Sequence, residues 1–349
     1  MQNAEPADLL IEARWVLPIA PRTAALAHHA VAVARGRIVA LGPAAELAAR
    51  FAARERVTLA GHALLPGFVN AHTLAGQLLA RGRRLAARDA CATGVSVHGV
   101  ADAPTVPWRV AAASSADLAR DGAQLAVAEM LRSGVTAFAS RDGRPEEVAR
   151  VAAFARVRAE IGLPLEERTT EWADGVTGHL AKAEALWDEY KGDPWVGLHF
   201  APDGAYGLSD VALVRVRTVA DELDARIAMP VHETGEEIER HTVRHGVRPL
   251  RRLDALGLLS PSFSALYLNR LDDAEIELLA RKGIAVAACP QASLRRGIGC
   301  CAFSALLARG IPVGLGTESP ASTFALDVLA EARAAALVAS SQSLSLIHI

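Results

Sequence analysis

Gly283-Ile284-Ala285-Val286-Ala287-Ala288-Cys289-Pro290 and Ile311-Pro312-Val313-Gly314-Leu315-Gly316-Thr317 are two strand-like apolar runs. Between them lies a helix-length stretch at 302–309 that stops at Gly310. A glycine just past a helix suits the left-handed turn that ends it. The pair therefore reads as one β-α-β repeat. Working outward, the same alternation extends back to residue 63. The strands predicted are Leu64–Ala71, Val135–Ala139, Arg156–Leu163, Val196–Pro202, Ile227–Glu233, Phe263–Leu268, Ile284–Pro290 and Ile311–Thr317. Helical stretches fall at 116–133, 145–155, 176–190, 209–223, 235–247, 272–282 and 302–309. Ser209-Asp210 and Thr234 suit helix N-caps, and Gly134 and Gly283 suit helix ends. Eight such repeats predict an α/β fold, a parallel (β/α)8 barrel over 63–340, with reactive groups at the C-terminal strand ends.

Residues 1–62 read differently. Asp8 to Pro18 is strand-like. Ala30–Ala34 and Ile38–Leu41 flank Arg35-Gly36-Arg37 as a hairpin, with Gly42-Pro43 as its stop. A short Ala-rich helix at 44–54 and a strand at 56–60 complete a small β-rich module. Residues 83–115 interrupt the barrel rhythm after its first strand, on the face where a lid or substrate loop would sit, or as a plain surface excursion.

Composition excludes several classes. Among 349 residues, 37 Lys+Arg against 39 Asp+Glu give a net charge of −2, so neither a basic nucleic-acid binder nor an acidic tail is expected. With 51% hydrophobic residues the chain does not read as disordered. No run of ~18 apolar residues suggests a membrane span. Met1 to Leu10 lacks the charged start and apolar stretch of a signal peptide. Cys91, Cys289, Cys300 and Cys301 form no CxxC, which points to a reducing compartment, the cytoplasm. There is no Walker loop, and Gly297-Ile298-Gly299 is too short for a dinucleotide motif.

The strand ends carry words that belong together. They are Leu65-Pro66-Gly67-Phe68-Val69-Asn70-Ala71-His72-Thr73, Gly134-Val135-Thr136, and His232-Glu233-Thr234 with Glu236-Glu237. Gly246-Val247-Arg248-Pro249-Leu250, Leu256-Gly257-Leu258-Leu259, Cys289-Pro290 and Gly314-Leu315-Gly316-Thr317 follow. In this order they resemble the amidohydrolase superfamily, nearest its chlorohydrolase-type branch of methylthioadenosine/S-adenosylhomocysteine, guanine and cytosine deaminases and triazine hydrolases. The resemblance runs from about residue 8 to 340.

That resemblance implies metal-assisted hydrolysis of carbon–nitrogen bonds in N-heterocyclic amines, with zinc or iron as the family metal. Mapped residue by residue, the first ligand position is His72. The second falls on Leu74, the strand-five position on Pro230, the strand-six position on Tyr267 and the strand-eight position on Glu318. The proton-shuttling acid falls on Glu233, and a substrate-contacting histidine position falls on Asp203. Leu74 and Pro230 have no donor side chain. Tyr267 could ligate only as phenolate, with a reference pKa of ~10. A catalytic zinc usually has three protein ligands. No cofactor is therefore expected, and metal-dependent activity is expected to be weak or lost.

The residues singled out carry two readings each. His72 is a residual ligand or a hydrogen-bonded strand-end histidine, and Glu318 a residual ligand or an acid. Glu233 and Glu318 form a metal-free acid–base pair or sit as two solvated acids in the mouth. Asp203 and His232 are the substrate-facing candidates, and His232 and His199 could also be displaced ligands. A site rebuilt from His72, His232, Asp203 and Glu318 would satisfy ligand chemistry. Cys300-Cys301 reads as buried thiols. Arg81, Arg83 and Arg84 meet an anionic substrate or form a solvated turn. The expected partner is a purine- or N-heterocycle-like small molecule, with no nucleic acid and no membrane. A homo-oligomer is implied by the resemblance alone. The alternative function is a catalytically silent barrel that binds a ligand or a partner subunit. The family's barrel is followed by strands that complete the N-terminal module. Here the eighth helix, about 324–340, is followed by 341–349, which resembles nothing in the family and reads as a non-native end of a truncated frame. The N-terminal module is then expected to be incomplete, with exposed edges.

Overall fold

The computed structural model describes residues 4–20, 24–81, 115–320 and 322–343. Most of the 83–115 segment, with Arg83, Arg84 and Cys91, lies outside the described residues, as do 344–349. The chain divides into two units, Met1–Gly67 and Phe68–Ile349.

The described residues of the first unit form a four-stranded sheet in the order β3-β2-β1-β4. Its strands are β1 (Glu5–Val16), β2 (Leu26–Ala34), β3 (Arg37–Pro43) and β4 (Phe51–Leu64). Arg35 and Gly36 both have positive φ (51° and 72°), the two-residue turn that matches strand twist, and β2 pairs antiparallel with β3 as the sequence predicts. Leu10, Ala30, Ala32, Leu47 and Phe51 pack between the sheet and the short helix Ala44–Arg50. β4 pairs parallel with β1 and is far longer than the expected 56–60, because the whole length of β1 is available to it.

Among its described residues the second unit holds eight parallel strands in sequential order. They are β5 (Phe68–Thr73), β6 (Val135–Arg141), β7 (Arg158–Leu165), β8 (Val196–Pro202), β9 (Arg226–Val231), β10 (Phe263–Tyr267), β11 (Ala285–Ala288) and β12 (Val313–Leu315). This is the (β/α)8 architecture read from the alternation. Helix Ala116–Arg132 shows how the outer layer is held. Ala119, Ala123, Ala126, Val127 and Met130 recur on one face and are all buried. The expected caps form, with Ser209 accepting from Ala212 N–H and Thr234 from Glu237 N–H. Among the described residues, two α-helices escape the sequence reading, Pro249–Ala255 and Pro290–Arg296, as does the short 3-10 helix Ala75–Ala80. The last helix, Val328–Ser343, runs past the expected end at 340. No helix among the described residues is long and apolar enough to cross a membrane.

The barrel closes between β12 and β5 through side chains as much as through backbone. The Asn70 amide donates to Thr317 Oγ1 at 2.8 Å, and its carbonyl oxygen accepts from Thr317 N–H at 3.1 Å. Thr317 Oγ1 donates to Thr73 Oγ1, which donates to the Glu318 carbonyl, both at 3.2 Å. Glu318 N–H donates to the His72 carbonyl at 3.0 Å. Gly316 permits the approach, because a Cβ there would lie 2.6 Å from the His72 carbonyl oxygen.

Two substitutions test the closure. Asn70→Leu strands the Thr317 N–H without its partner in a fully buried setting, which costs about 1–3 kcal/mol per orphaned group. Gly316→Ala should destabilise through a backbone clash. Urea unfolding of both variants against the parent is the check, and a parent-like midpoint for either contradicts this account of the seam.

Candidate active site

The C-terminal strand ends converge on a buried set of charged groups. His72 lies at the end of β5, Arg141 ends β6, Asp203 follows β8, Glu233 follows β9, Tyr267 ends β10 and Glu318 follows β12. All are buried or nearly so, Glu233 to 1% and Glu318 to 2% exposure. The backbone there is unusual. His232, Tyr267, Leu268 and Glu318 all have positive φ, between 50° and 72°. Left-handed non-glycine residues cost about 1–3 kcal/mol each and persist where surroundings hold them. Here Asn269 supplies the hold. Its N–H donates to the His232 carbonyl and its side-chain amide to the Glu233 carbonyl, both at 3.0 Å.

At the centre, the Tyr267 hydroxyl donates to Glu318 Oε1 at 3.2 Å, and the Tyr267 ring meets the His72 ring edge-on at 6.2 Å. Burial, then the Glu318 and Glu233 charges, push the Tyr267 pKa well above 10, so Tyr267 is a phenol that donates. Glu233 is ion-paired with Arg296, Nη1 to Oε1 at 2.5 Å. Asp203 pairs with Arg141 at 2.7 Å, with Arg168 farther out at 3.9 Å. Burial works against the Arg141 charge, yet Asp203 and Glu166 raise its pKa overall. Glu237 accepts from Glu233 N–H at 2.8 Å and so fixes the strand end that carries Glu233.

The fold brings some of the residues singled out in the sequence together and keeps others apart. His72, Glu233 and Glu318 lie at the mouth with Tyr267. His232 instead engages the Arg270 carbonyl through Nδ1 at 3.0 Å, with Nε2 3.6 Å from Glu275, whose carboxylate Arg248 grips with two hydrogen bonds. Burial lowers the His232 pKa to about 4. The rebuilt site of His72, His232, Asp203 and Glu318 does not assemble, because Asp203 is tied to Arg141 and His232 faces Glu275. His199 is buried, with its pKa lowered to about 4, chiefly by burial. Arg81 forms neither an open anion site nor a solvated turn, since it forks onto Glu129 at 2.7 and 3.0 Å. Cys301 is buried and Cys300 half-buried.

The residues at the mouth do not fit the family's metal. Leu74 is buried and has no donor, Pro230 pairs with Leu266 in the sheet, and Tyr267 keeps its proton. No group of three His, Cys, Asp or Glu among the described residues is arranged to hold a metal ion. Sequence reasoning missed Arg296, Arg141 and Asn269, and quoted Glu237 only as part of the strand-five word, with no role. Arg141 stands two residues after a predicted strand, where the rule that barrel chemistry sits at strand ends could have found it. Arg296 ends the helix Pro290–Arg296, which the sequence reading lacked.

Two sets of buried groups set opposite pH dependences. Burial, and then the Glu233 charge, push the Glu237 pKa up to about 8 from 4.5. The folded chain thus binds a proton there that the unfolded chain releases, and stability falls as pH rises from 4.5 to 8. His199 and His232, lowered to about 4, do the reverse, and stability falls as pH drops from 6.5 to 4. Glu237→Gln should remove the first loss. The melting temperature of the variant relative to the parent should therefore rise between pH 5 and 8. A difference that stays flat with pH contradicts the assignment.

The comparisons with known proteins bear on this site. The model of the "Amidohydrolase family" matches residues 63–349. A 5-methylthioadenosine/S-adenosylhomocysteine deaminase of Teredinibacter turnerae is 35% identical over 338 residues, covering 97% of this chain and 74% of that protein. The crystal structure of an adenosine deaminase from Xanthomonas campestris with bound zinc is 35% identical, with a TM-score of 0.88, covering 97% of this chain and 75% of that one. An atrazine chlorohydrolase from Arthrobacter aurescens, complexed with zinc, has a TM-score of 0.82 at 20% identity over 96% of this chain and 77% of that one, a likeness of fold alone. A family model spanning the whole barrel, and a relative one-third identical across nearly the full length, place the chain in the amidohydrolase family.

Proposed function

We propose that the barrel mouth binds an N-heterocyclic amine and that hydrolysis of its carbon–nitrogen bond is slow or lost. The observation that carries this reading is Glu318. One of its carboxylate oxygens accepts from Tyr267, and the other, Oε2, is buried with no hydrogen-bond partner among the described residues. A buried acceptor without a donor is costly, and a ligand N–H supplies what it lacks. An exocyclic amino group or protonated ring nitrogen is such a donor. The class of ligand is supported by the relatives, several of which are named as deaminases of adenosine-type compounds.

The slow turnover follows from the chemistry of the donors present. The family's metal generates a nucleophile from water at neutral pH. Leu74, Pro230 and Tyr267 offer nothing to hold such an ion, so no step is routed through one. What remains is Glu233, one oxygen of which is taken by Arg296. That ion pair must open before Glu233 can take or give a substrate proton, and general acid–base work needs hydrogen-bond reach to that proton. The Tyr267–Glu318 pair orients a ligand by accepting its N–H, with the phenol holding the carboxylate in place.

Purified protein incubated with 5-methylthioadenosine, S-adenosylhomocysteine, adenosine and guanine provides the test. At least one should raise the apparent melting temperature, as a ligand at 100 times its Kd adds about 2.7 kcal/mol of stability. Glu318→Gln should weaken that response, because one acceptor oxygen becomes a donor amide. No response to any of these compounds overturns the binding reading, and rapid ammonia release overturns the slow-turnover reading.

A further inference from the structure

We propose that the Arg296 guanidinium is the resident cation of this barrel mouth, neutralising its buried acids where the family uses a metal, and that it excludes a divalent ion from the site. The inference is independent of which ligand the mouth takes.

The mouth buries three carboxylates, on Asp203, Glu233 and Glu318. A carboxylate taken out of water must be compensated by an opposite charge or by several hydrogen bonds. Asp203 has Arg141 at 2.7 Å. Glu233 has Arg296 at 2.5 Å. Glu318 has the Tyr267 hydroxyl at 3.2 Å and lies within the field of Arg296. Arg296 thus serves two of the three acids, one by contact and one through space. Its charge is permanent, since a guanidinium does not deprotonate in proteins.

The local fold turns Arg296 inward. β11 ends at Ala288, Pro290 opens a short helix, and Gly297 ends it with a φ of 65°. Arg295 and Arg296, adjacent at its end, part company. Arg295 lies over the exposed Phe324 ring at 4.4 Å, while the Arg296 side chain is only 16% exposed. The helix start is fixed from behind by the buried Glu331, which accepts from Gln291 N–H at 3.0 Å and from the Gln291 amide at 3.1 Å. Ser293, one turn before Arg296, donates to Asn269 Oδ1 at 3.3 Å, and Asn269 in turn donates to the Glu233 carbonyl. One hydrogen-bonded run therefore links the helix that carries the cation to the strand end that carries its acid.

A divalent ion at the mouth would have to lie beside this guanidinium, and like charges repel strongly where water is excluded. It would also find Leu74 and Pro230 where donors are needed. The two features belong together: a wall without donors, and a fixed cation supplied from the helix after β11.

The test uses the full chain after dialysis against a chelator, with zinc or manganese then added. The parent should retain no stoichiometric metal, and its melting temperature should not respond to either ion. Arg296→Met should melt at a lower temperature, because the buried Glu233 carboxylate then lacks its cation, and neither ion should restore the loss while the wall lacks donors. Glu233→Gln should offset Arg296→Met, so that the double variant melts above the sum of the two single losses. If Arg296→Met does not fold, Arg296→Lys keeps the charge, and it should fold, melt close to the parent and ignore zinc. A parent that holds about one zinc per chain overturns the proposal, as does strict additivity of the two losses or an Arg296→Lys variant that is also unfolded.

Discussion

The closure of the barrel between β12 and β5 is the constraint on which the site depends. β12 is three residues long, and backbone pairing over so short a strand cannot hold a seam by itself. Asn70 completes it by satisfying both the N–H and the hydroxyl of Thr317. Once Thr317 is fixed, Glu318 must leave the sheet directly above His72, with its N–H on the His72 carbonyl. Gly316 lets the two backbones meet. Loss of the seam would therefore misplace His72, Thr73 and Glu318 together, since the bonds that close it run through their backbone and through the Thr73 hydroxyl.

Buried charge is the second constraint, and it ties the composition of the wall to the helix after β11. A barrel mouth with three carboxylates needs compensating positive charge whether or not it performs catalysis. A metal ion satisfies that need only if the wall supplies ligands. Leu74 and Pro230 have no donor side chain and Tyr267 keeps its proton, while Arg141 and Arg296 are in contact with the acids. The presence of Glu233 is then intelligible without assuming turnover. Its side chain is half of a buried ion pair, and removing either half leaves the other uncompensated.

How much of this was legible in the sequence differs by level. The eight strands were visible because short apolar runs alternate with helix-length segments that end in glycine, a pattern set by local sterics and burial. Their ends were less visible. Ile311–Thr317 reads as one strand, but the sheet keeps only Val313–Leu315, because Thr317 is drawn across the seam to Asn70, 247 residues away in the chain. The parallel pairing of β1 with β4 is likewise non-local. At the site, His72, Glu233, Tyr267 and Glu318 could be placed only through the resemblance, since their spacing along the chain carries no geometric period. Arg296 escaped because an arginine pair at a helix end ordinarily faces water. Only the fold shows that a seven-residue helix turns one of the two inward. His232 misled for the opposite reason. It adjoins Glu233 in sequence, but its left-handed backbone sends it to Glu275.

That cluster of left-handed residues also says what kind of site this is. His232, Tyr267, Leu268 and Glu318 leave their strands in a conformation that costs free energy at each position. The cost is sustained by hydrogen bonds that run from one strand end to the next: Leu268 N–H to the Val231 carbonyl, Asn269 to His232 and Glu233, and Ser293 to Asn269. Such a latch fixes the direction in which each side chain enters the mouth and is indifferent to what that side chain is. The geometry of the mouth therefore resides in the backbone and in Asn269. The scaffold can keep the form of a hydrolase site while its charges are redistributed, provided that every buried carboxylate still meets a cation or a hydrogen-bond donor.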